Sequence, residues 1–226
     1  MMKRYIFPLI LGLGGCAILL SLGFWQLRRL EWKETMLAQI EAQIAGALQD
    51  LPPEGTPTEP LKYQPVHMSG GTTGQEILVL SGQKGVGAGY EVITAFETGE
   101  GRRVLLDRGF IREEGRAAAR PSTALIVTGN LHWPTETDSY TPAPDAKTGI
   151  WFARDVPAMA AALGTEPIMV VASAIDGDTQ GVEPRAITIS GVPNDHLNYA
   201  ITWFSLAIVW AGMTAFLLWR IRRQQI

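Results

Sequence analysis

Two long runs without a charged residue lie near the two ends of this chain of 226 residues. One extends from Tyr5 to Leu27 and the other from Leu197 to Trp219, and each contains 23 residues. A helix of that length measures about 35 Å, which exceeds the roughly 30 Å hydrocarbon core of a bilayer. We therefore expect transmembrane helices over residues 5–27 and 196–219, and we exclude a purely soluble or disordered protein.

The first run also has features of a cleaved signal peptide. Lys3 and Arg4 precede the apolar stretch, and Ser21 and Gly23 form a small-x-small sequence near its end. However, the run is long for a signal peptide, and a helical pattern continues beyond it. We therefore expect the first run to be retained as an anchor, with cleavage as the alternative.

The charges are distributed unevenly along the chain. The segment 28–196 holds all 22 acidic residues and 14 of the 19 lysines and arginines, which gives it a formal charge of −8. The other five basic residues lie in the tails, residues 1–4 and 220–226. Short basic tails remain in the cytoplasm, so we expect both termini there and the domain formed by residues 61–195 on the outer side. Its acidity argues against a nucleic-acid partner.

Between the two apolar runs the pattern changes from helix to strand. Apolar residues recur at helical spacing over 28–49, which predicts an amphipathic extension of the first helix. A linker with four prolines follows at 50–60. Runs rich in β-branched and aromatic residues, separated by glycine-containing turns, then predict antiparallel strands. These runs are 62–70, 76–82, 90–98, 103–111, 123–133 and 166–173, with loops at 134–148 and 176–185.

The predicted fold class is an α+β membrane protein. Two transmembrane helices flank a mainly antiparallel β domain that contains one or two short helices. One of these helices is expected to begin near Val156, because Asp155 is a suitable N-cap and Pro157 suits the first turn.

The sequence carries few signals of catalysis or metal binding. The single cysteine, Cys16, lies in the first apolar run, so the outer domain has no internal disulfide and no thiolate metal site. A nucleophile elbow, a His-Glu-x-x-His motif and a Cys-x-x-Cys-His haem attachment sequence are absent. His67, Met68 and His132 make only a weak case for copper. We therefore expect a protein that is not an enzyme.

A charged tripeptide, Asp107-Arg108-Gly109, follows a strongly apolar run. We expect it to end a strand, with the aspartate and the arginine as an ion pair and the glycine in a turn. Contact with a partner protein is the alternative.

The start of the second apolar run combines a histidine with aromatic residues. Asn194 or Asp195 can cap the helix, and His196, Tyr199 and Trp203 share one stripe of it, with Trp210 further along. An imidazole beside flat aromatic surface suits a planar cofactor such as haem, for which the histidine would be the axial ligand of the iron. The alternative is that these are ordinary interfacial residues.

The end of the first apolar run lies at the same expected depth. It carries Trp25, Gln26, Arg28 and Arg29. The two arginines could pair with haem propionates, and the alternative is that they are anchors whose charged ends reach the interface.

These sequences together resemble the Surfeit locus protein one family, the assembly factors of haem-copper terminal oxidases. The matching segments are GFWQLRRLEWK, YQPVHMSG, VLLDRGFI, WFARDVPAMAAALG and PNDHLNYAITWF, which occur in the family's order and cover nearly the whole chain. The first and the last are specific in combination.

The resemblance implies a protein of the bacterial inner membrane, with a periplasmic main domain, that handles haem a during maturation of oxidase subunit I. It implies that His196 and Trp203 bind haem a and that Trp25, Gln26 and Arg29 match the family's first-span motif. Haem a synthase and membrane lipid are further expected partners. The alternative function is a haem-independent scaffold that docks nascent oxidase subunits through its outer domain.

Overall fold

The computed structural model describes residues 3–56, 59–83 and 85–223, so the outermost residues of both expected tails and part of the proline-rich segment lie outside the description. The chain forms two compact units. One comprises Met1–Gln39 and Ile189–Ile226, and the other comprises Ile40–Thr188. Three α-helices are present in the described residues: α1 (Lys3–Ile44), α2 (Val156–Leu163) and α3 (His196–Arg223).

The helices α1 and α3 contain the two apolar runs. With 42 and 28 residues they measure about 63 Å and about 42 Å. Both are long and apolar enough to cross a membrane, which is consistent with a two-pass membrane protein. The expected pair of terminal helices around a β-rich domain is thereby confirmed.

The amphipathic extension is shorter than expected. α1 continues without a break past the first apolar run but ends at Ile44 instead of residue 49. Asn130 Nδ2 donates a hydrogen bond to the carbonyl of Ile44 (3.0 Å), one of the carbonyls that a helix end leaves unpaired. Gln49 instead forms a β-bridge with Val66, so the chain has already become extended there.

The second unit is built on a six-stranded sheet. Its strands are β1 (Pro65–Gln83), β2 (Gly87–Thr98), β3 (Arg103–Arg112), β4 (Ala124–Leu131), β5 (Ile150–Trp151) and β6 (Met169–Gly177). Neighbouring strands follow the order β2-β3-β6-β4-β1, and β1 also pairs with β2, so five strands close into a barrel. β5 adds to β1 outside this ring. Only β3–β6 and β1–β5 are parallel, so the sheet is mainly antiparallel as expected.

The barrel closes through one long strand where two strands were expected. β1 pairs with β4 over residues 65–71 and with β2 over residues 70–83. Its register shifts between Thr72 and Glu76, and Gly74 within the shift has φ +79°. Glycine adopts this angle without strain, so the strand bends and continues where a change of strand was predicted.

The apolar core has two main layers. The inner layer draws residues from all five barrel strands, including Val66, Phe96, Leu106 and Val127. The outer layer lies under α2, where Met159 and Leu163 pack with residues such as Leu105.

The start of α2 is formed as the sequence predicts. Asp155 caps α2, its Oδ1 accepting from the Ala158 amide at 3.1 Å. Pro157 lies in the first turn, and Gly164 ends the helix with φ 63°.

The expectation that Asp107-Arg108-Gly109 ends a strand is wrong. β3 runs on to Arg112, and Asp107 lies within it at 1% exposure. Arg108 does not pair with Asp107 and instead donates to the carbonyl of Thr179 (2.8 Å). Gly109 is not in a turn: a Cβ there would lie 2.0 Å from the backbone oxygen of Glu183. Position 109 therefore requires glycine, because the backbone at Glu183 passes too close to β3 for a side chain.

Asp107 belongs to a buried ion network. Arg154 Nη1 donates to Asp107 Oδ2 at 3.0 Å, and Arg154 Nη2 contacts Glu136 Oε1 at 2.5 Å. Burial raises the pKa of the Asp107 carboxyl to about 6, with the negative charge of Glu91 adding to the effect. Burial lowers the pKa of His132 to about 4, and the charges of Arg154 and Lys62 act in the same direction.

We predict that Arg154→Met destabilises the β-rich unit by about 3 kcal/mol near neutral pH, because it leaves the Asp107 carboxylate buried without its cation. The loss should be smaller at pH 5, where the carboxyl can take up a proton. Thermal unfolding of the full chain in detergent, followed by circular dichroism, measures the change. The matched control is Arg116→Met, whose more exposed pair with Glu113 (3.9 Å) is expected to contribute below about 1 kcal/mol. Equal losses in the two variants would contradict the network's role.

We also predict that His132→Phe reduces the sensitivity of folding to acid. The unfolded histidine takes up a proton as the pH falls below about 6.5, whereas folded His132 stays neutral down to about pH 4. Folding stability is therefore lost over that window, by about 1 kcal/mol between pH 7 and 5 after allowing for solvent near the ring. Phenylalanine keeps an aromatic ring against Tyr63, whose ring stacks on that of His132 with 5.3 Å between the ring centres. Unfolding at both pH values tests this, and an unchanged loss in the variant refutes it.

Candidate functional site

Small residues bring α1 and α3 into close contact. A Cβ added to Gly12 would lie 2.2 Å from Thr214 Cγ2, and one added to Gly23 would lie 2.6 Å from Phe204 Cε1. Early residues of α1 therefore meet late residues of α3, so the two helices run antiparallel. Small side chains at a contact allow helix backbones to approach, which is the usual way in which apolar helices associate without a hydrophobic driving force.

The contact continues along α3 at intervals of three or four residues. Ala200 and Ala207 are buried, Trp210 Nε1 reaches the carbonyl of Leu11 (3.4 Å), and Cys16 Sγ lies 3.9 Å from the carbonyl of Ala207. This spacing is typical of paired helices. Trp210 therefore belongs to the seam between the helices and does not extend an open aromatic stripe below His196.

His196 lies at one end of this seam, as the first residue of α3. Its Nδ1 is 2.7 Å from Gln26 Oε1 across the helix pair. Gln26 is 9% exposed, so this amide is almost fully buried. A carbonyl oxygen only accepts, so in a neutral ring this contact requires the hydrogen on Nδ1 and leaves the lone pair on Nε2. The imidazole therefore faces the neighbouring helix and keeps one nitrogen that is able to ligate a metal.

The chain entering α3 is also held by α1. Lys33 Nζ donates to the carbonyl of Pro193. Asp195 occupies the cap position, with its carbonyl accepting from the Tyr199 amide at 3.1 Å. Asn194 Oδ1 is buried without a hydrogen-bond partner among the described residues, so this oxygen does not cap the helix. These contacts flank the His196–Gln26 pair.

Four large side chains share one exposed face of α1. Trp25, Arg28, Arg29 and Trp32 follow the i, i+3, i+4, i+7 spacing of a helical stripe. Trp25 is 53% exposed, Trp32 is 51% exposed, and both arginines are also exposed. The Arg29 guanidinium lies 4.1 Å from the centre of the Trp32 ring, a cation–π contact. Trp32 was missed in the sequence analysis, although its spacing from Trp25 and Arg28 was a usable signal.

The aromatic residues of α3 divide between two environments. Tyr199 is 57% exposed and Trp203 is half-buried. Phe204, also missed by sequence reasoning, packs edge-on against Phe24 of α1 at 5.3 Å. The structure thus brings His196 to Gln26 by a direct contact. It leaves Tyr199, Trp25, Arg28 and Arg29 open on helix surfaces. In the described residues no three His, Cys, Asp or Glu side chains gather as a metal site.

The fold and this pair of helices define a class: a β-barrel protein with an apolar, potentially membrane-spanning helix at each end. The sequence profile of the SURF1 family matches residues 13–208. The chain belongs to the SURF1 family, which confirms the resemblance noted from its motifs.

Individual relatives show the same similarity. The SURF1-like protein of Rickettsia felis is 30% identical over 201 residues, covering 84% of this chain and 88% of its own length. The SURF1-like protein of Rickettsia conorii is also 30% identical, covering 84% of this chain and 82% of its own. Surfeit locus protein 1 of Xenopus tropicalis is 28% identical, covering 82% of this chain and 67% of its own length.

The single cysteine permits a direct test of the helix seam. We predict that Ala207→Cys forms a disulfide with Cys16 on mild oxidation of the full chain in membranes, because the two positions face each other across the seam. Maleimide labelling of the denatured protein should then show both thiols lost. The control Ile208→Cys places its thiol on an exposed position one residue on, and both thiols should remain. Equal cross-linking of the two variants would exclude the observed packing.

Proposed function

We propose that this protein is an assembly factor for haem-copper terminal oxidases, and that it binds haem a and passes it to subunit I. Membership of the SURF1 family supports the general role in oxidase assembly. The observation that carries the haem part of the proposal is the His196–Gln26 contact. It holds an imidazole at the end of an apolar helix and leaves Nε2 as its ligating atom.

The exposed residues at this end of α1 and α3 have the chemistry that a haem requires, and haem is the cargo of the proposed reaction. His196 Nε2 would be the axial ligand of the iron. Tyr199, Trp203 and Trp25 supply aromatic surface for the macrocycle. The exposed cations Arg28 and Arg29 suit the propionates, since guanidinium groups bind carboxylates in a forked geometry. One histidine ligand and open helix surfaces also suit a site that must release its cargo.

The proposed role is non-catalytic. The protein would receive haem a, with haem a synthase as the candidate donor, and deliver it to subunit I. The five basic residues of the two tails support an arrangement with both termini in the cytoplasm and the barrel in the periplasm of a bacterial inner membrane. Membrane lipid surrounds the two helices in this arrangement.

We predict that His196→Ala abolishes haem a binding. The full chain is purified after co-expression with a haem a source, and its optical spectrum is compared with that of the variant. The wild-type protein should show haem a absorption, and the variant should lose it, because no side chain replaces the iron ligand. His67→Ala is the matched control: His67 lies in the β-rich unit and contacts Asp50 at 3.2 Å, so its loss should leave the spectrum unchanged. A wild-type protein without haem, or a variant with an unaltered spectrum, would reject the proposal.

The second candidate function is a scaffold that docks nascent oxidase subunits without touching haem. The formal charge of −8 over residues 28–196 favours it, since an acidic surface can steer a basic partner. Oxidase maturation would then survive His196→Ala and fail when the barrel is destabilised. Under the haem-handling proposal, both changes impair maturation.

A further inference from the structure

We infer that Gln26 is a positioning residue for His196: its amide oxygen fixes the Nδ1–H tautomer and the orientation of the ring, so that Nε2 is presented as an acceptor or metal ligand. The identity of that ligand rests on the proposed function. The tautomer itself rests only on the contact between the two side chains.

The amide of Gln26 is almost fully buried. Gln26 is the only amide side chain in the apolar run from Tyr5 to Leu27. A buried polar group is costly unless it is hydrogen-bonded. Ser21, another polar residue in the run, satisfies its hydroxyl within its own helix by donating to the Ala17 carbonyl at 2.8 Å. Gln26 instead reaches the other helix, where its amide oxygen contacts His196.

Contacts between the helices hold the backbone near both side chains. Gly23 is one turn before Gln26 and packs directly against the Phe204 ring. On the other side, Lys33 holds the Pro193 carbonyl, three residues before His196. The hydrogen bond therefore lies between two contacts of the same helix pair, which restricts the motion of both partners.

An imidazole that donates Nδ1–H to an oxygen must carry its lone pair on Nε2. Histidines that bind metals commonly have the second ring nitrogen held in this way, and loss of that partner typically lowers metal affinity about 10- to 100-fold. Gln26 thus holds the second ring nitrogen, whether Nε2 binds haem iron or another electrophile.

The experiment uses the full chain in lipid nanodiscs without haem, labelled with ¹⁵N-histidine. The chain contains three histidines, so three pairs of ring-nitrogen signals are expected, and His196→Gln identifies the pair of interest. Spectra are recorded at alkaline pH, where a neutral imidazole shows one protonated and one unprotonated nitrogen. Wild-type His196 should show protonated Nδ1 and unprotonated Nε2.

Three variants separate positioning from simple packing. Gln26→Leu removes the acceptor and should shift the tautomer ratio toward Nε2–H by about fivefold, the factor that corresponds to one neutral hydrogen bond. Gln26→Glu keeps an acceptor and should leave Nδ1 protonated. Gln39→Leu makes the same change at an exposed position of α1 and should leave the His196 signals unaltered. The signals of His67 and His132 report that the barrel stays folded.

The possible results distinguish this inference from the proposed function. A wild-type ring protonated on Nε2, or a ratio unmoved by Gln26→Leu, overturns the inference even if haem a binds. Conversely, the expected tautomer in a protein that never binds haem a supports the inference while the haem proposal fails. If both hold, Gln26→Leu should also weaken haem a binding about 10- to 100-fold.

Discussion

The close packing of α1 against α3 is the interaction on which the candidate site depends. Gly12, Gly15 and Gly23 leave no room for a side chain at the contact, so the helix backbones approach each other closely. Gln26 can reach His196 only because the helices are this near, and the hydrogen bond between them satisfies an amide that would otherwise be buried at a cost. Packing thus creates the polar contact, and the polar contact determines which ring nitrogen is available.

The β-rich unit is stabilised by different means. Its five barrel strands close on one another, because β1 pairs with β4 through its first part and with β2 through the rest. Around that ring, Arg154 joins a carboxylate of β3 to Glu136 of the 134–148 loop. Because Arg154 binds both carboxylates, it links the 134–148 loop to the barrel. Burial is the main reason for the lowered pKa of His132, and the charge of Arg154 adds to it, so the cation that binds the loop also contributes to the acid sensitivity of folding.

Much of the fold could be predicted because its signals are local. Charge-free runs predicted the terminal helices, and Asp155 and Pro157 predicted the start of α2 from neighbouring residues alone. The bend within β1 was missed, because a glycine that continues a strand and one that ends it look alike in a sequence.

The partners of buried polar groups were the other part that could not be predicted. Asp107 pairs with Arg154, 47 residues away, and Gln26 with His196, 170 residues away. Such pairs depend on how elements pack, which no local pattern records. The sequence predicted that Gln26 and His196 lie at the same depth, but it did not predict that they contact each other. Likewise, Trp210 matched the aromatic stripe by spacing, yet it faces α1.

The most direct test of the account is a dipolar coupling between the Nδ1 of His196 and the side-chain amide carbon of Gln26, measured by solid-state NMR on ring-¹⁵N-histidine, side-chain-¹³C-glutamine protein in lipid bilayers. We predict a measurable through-space coupling, corresponding to a separation of a few ångströms, that disappears in Gln26→Leu. A spectrum without this coupling in the wild-type protein would mean that the two helices do not hold the imidazole, and the site described here would not exist.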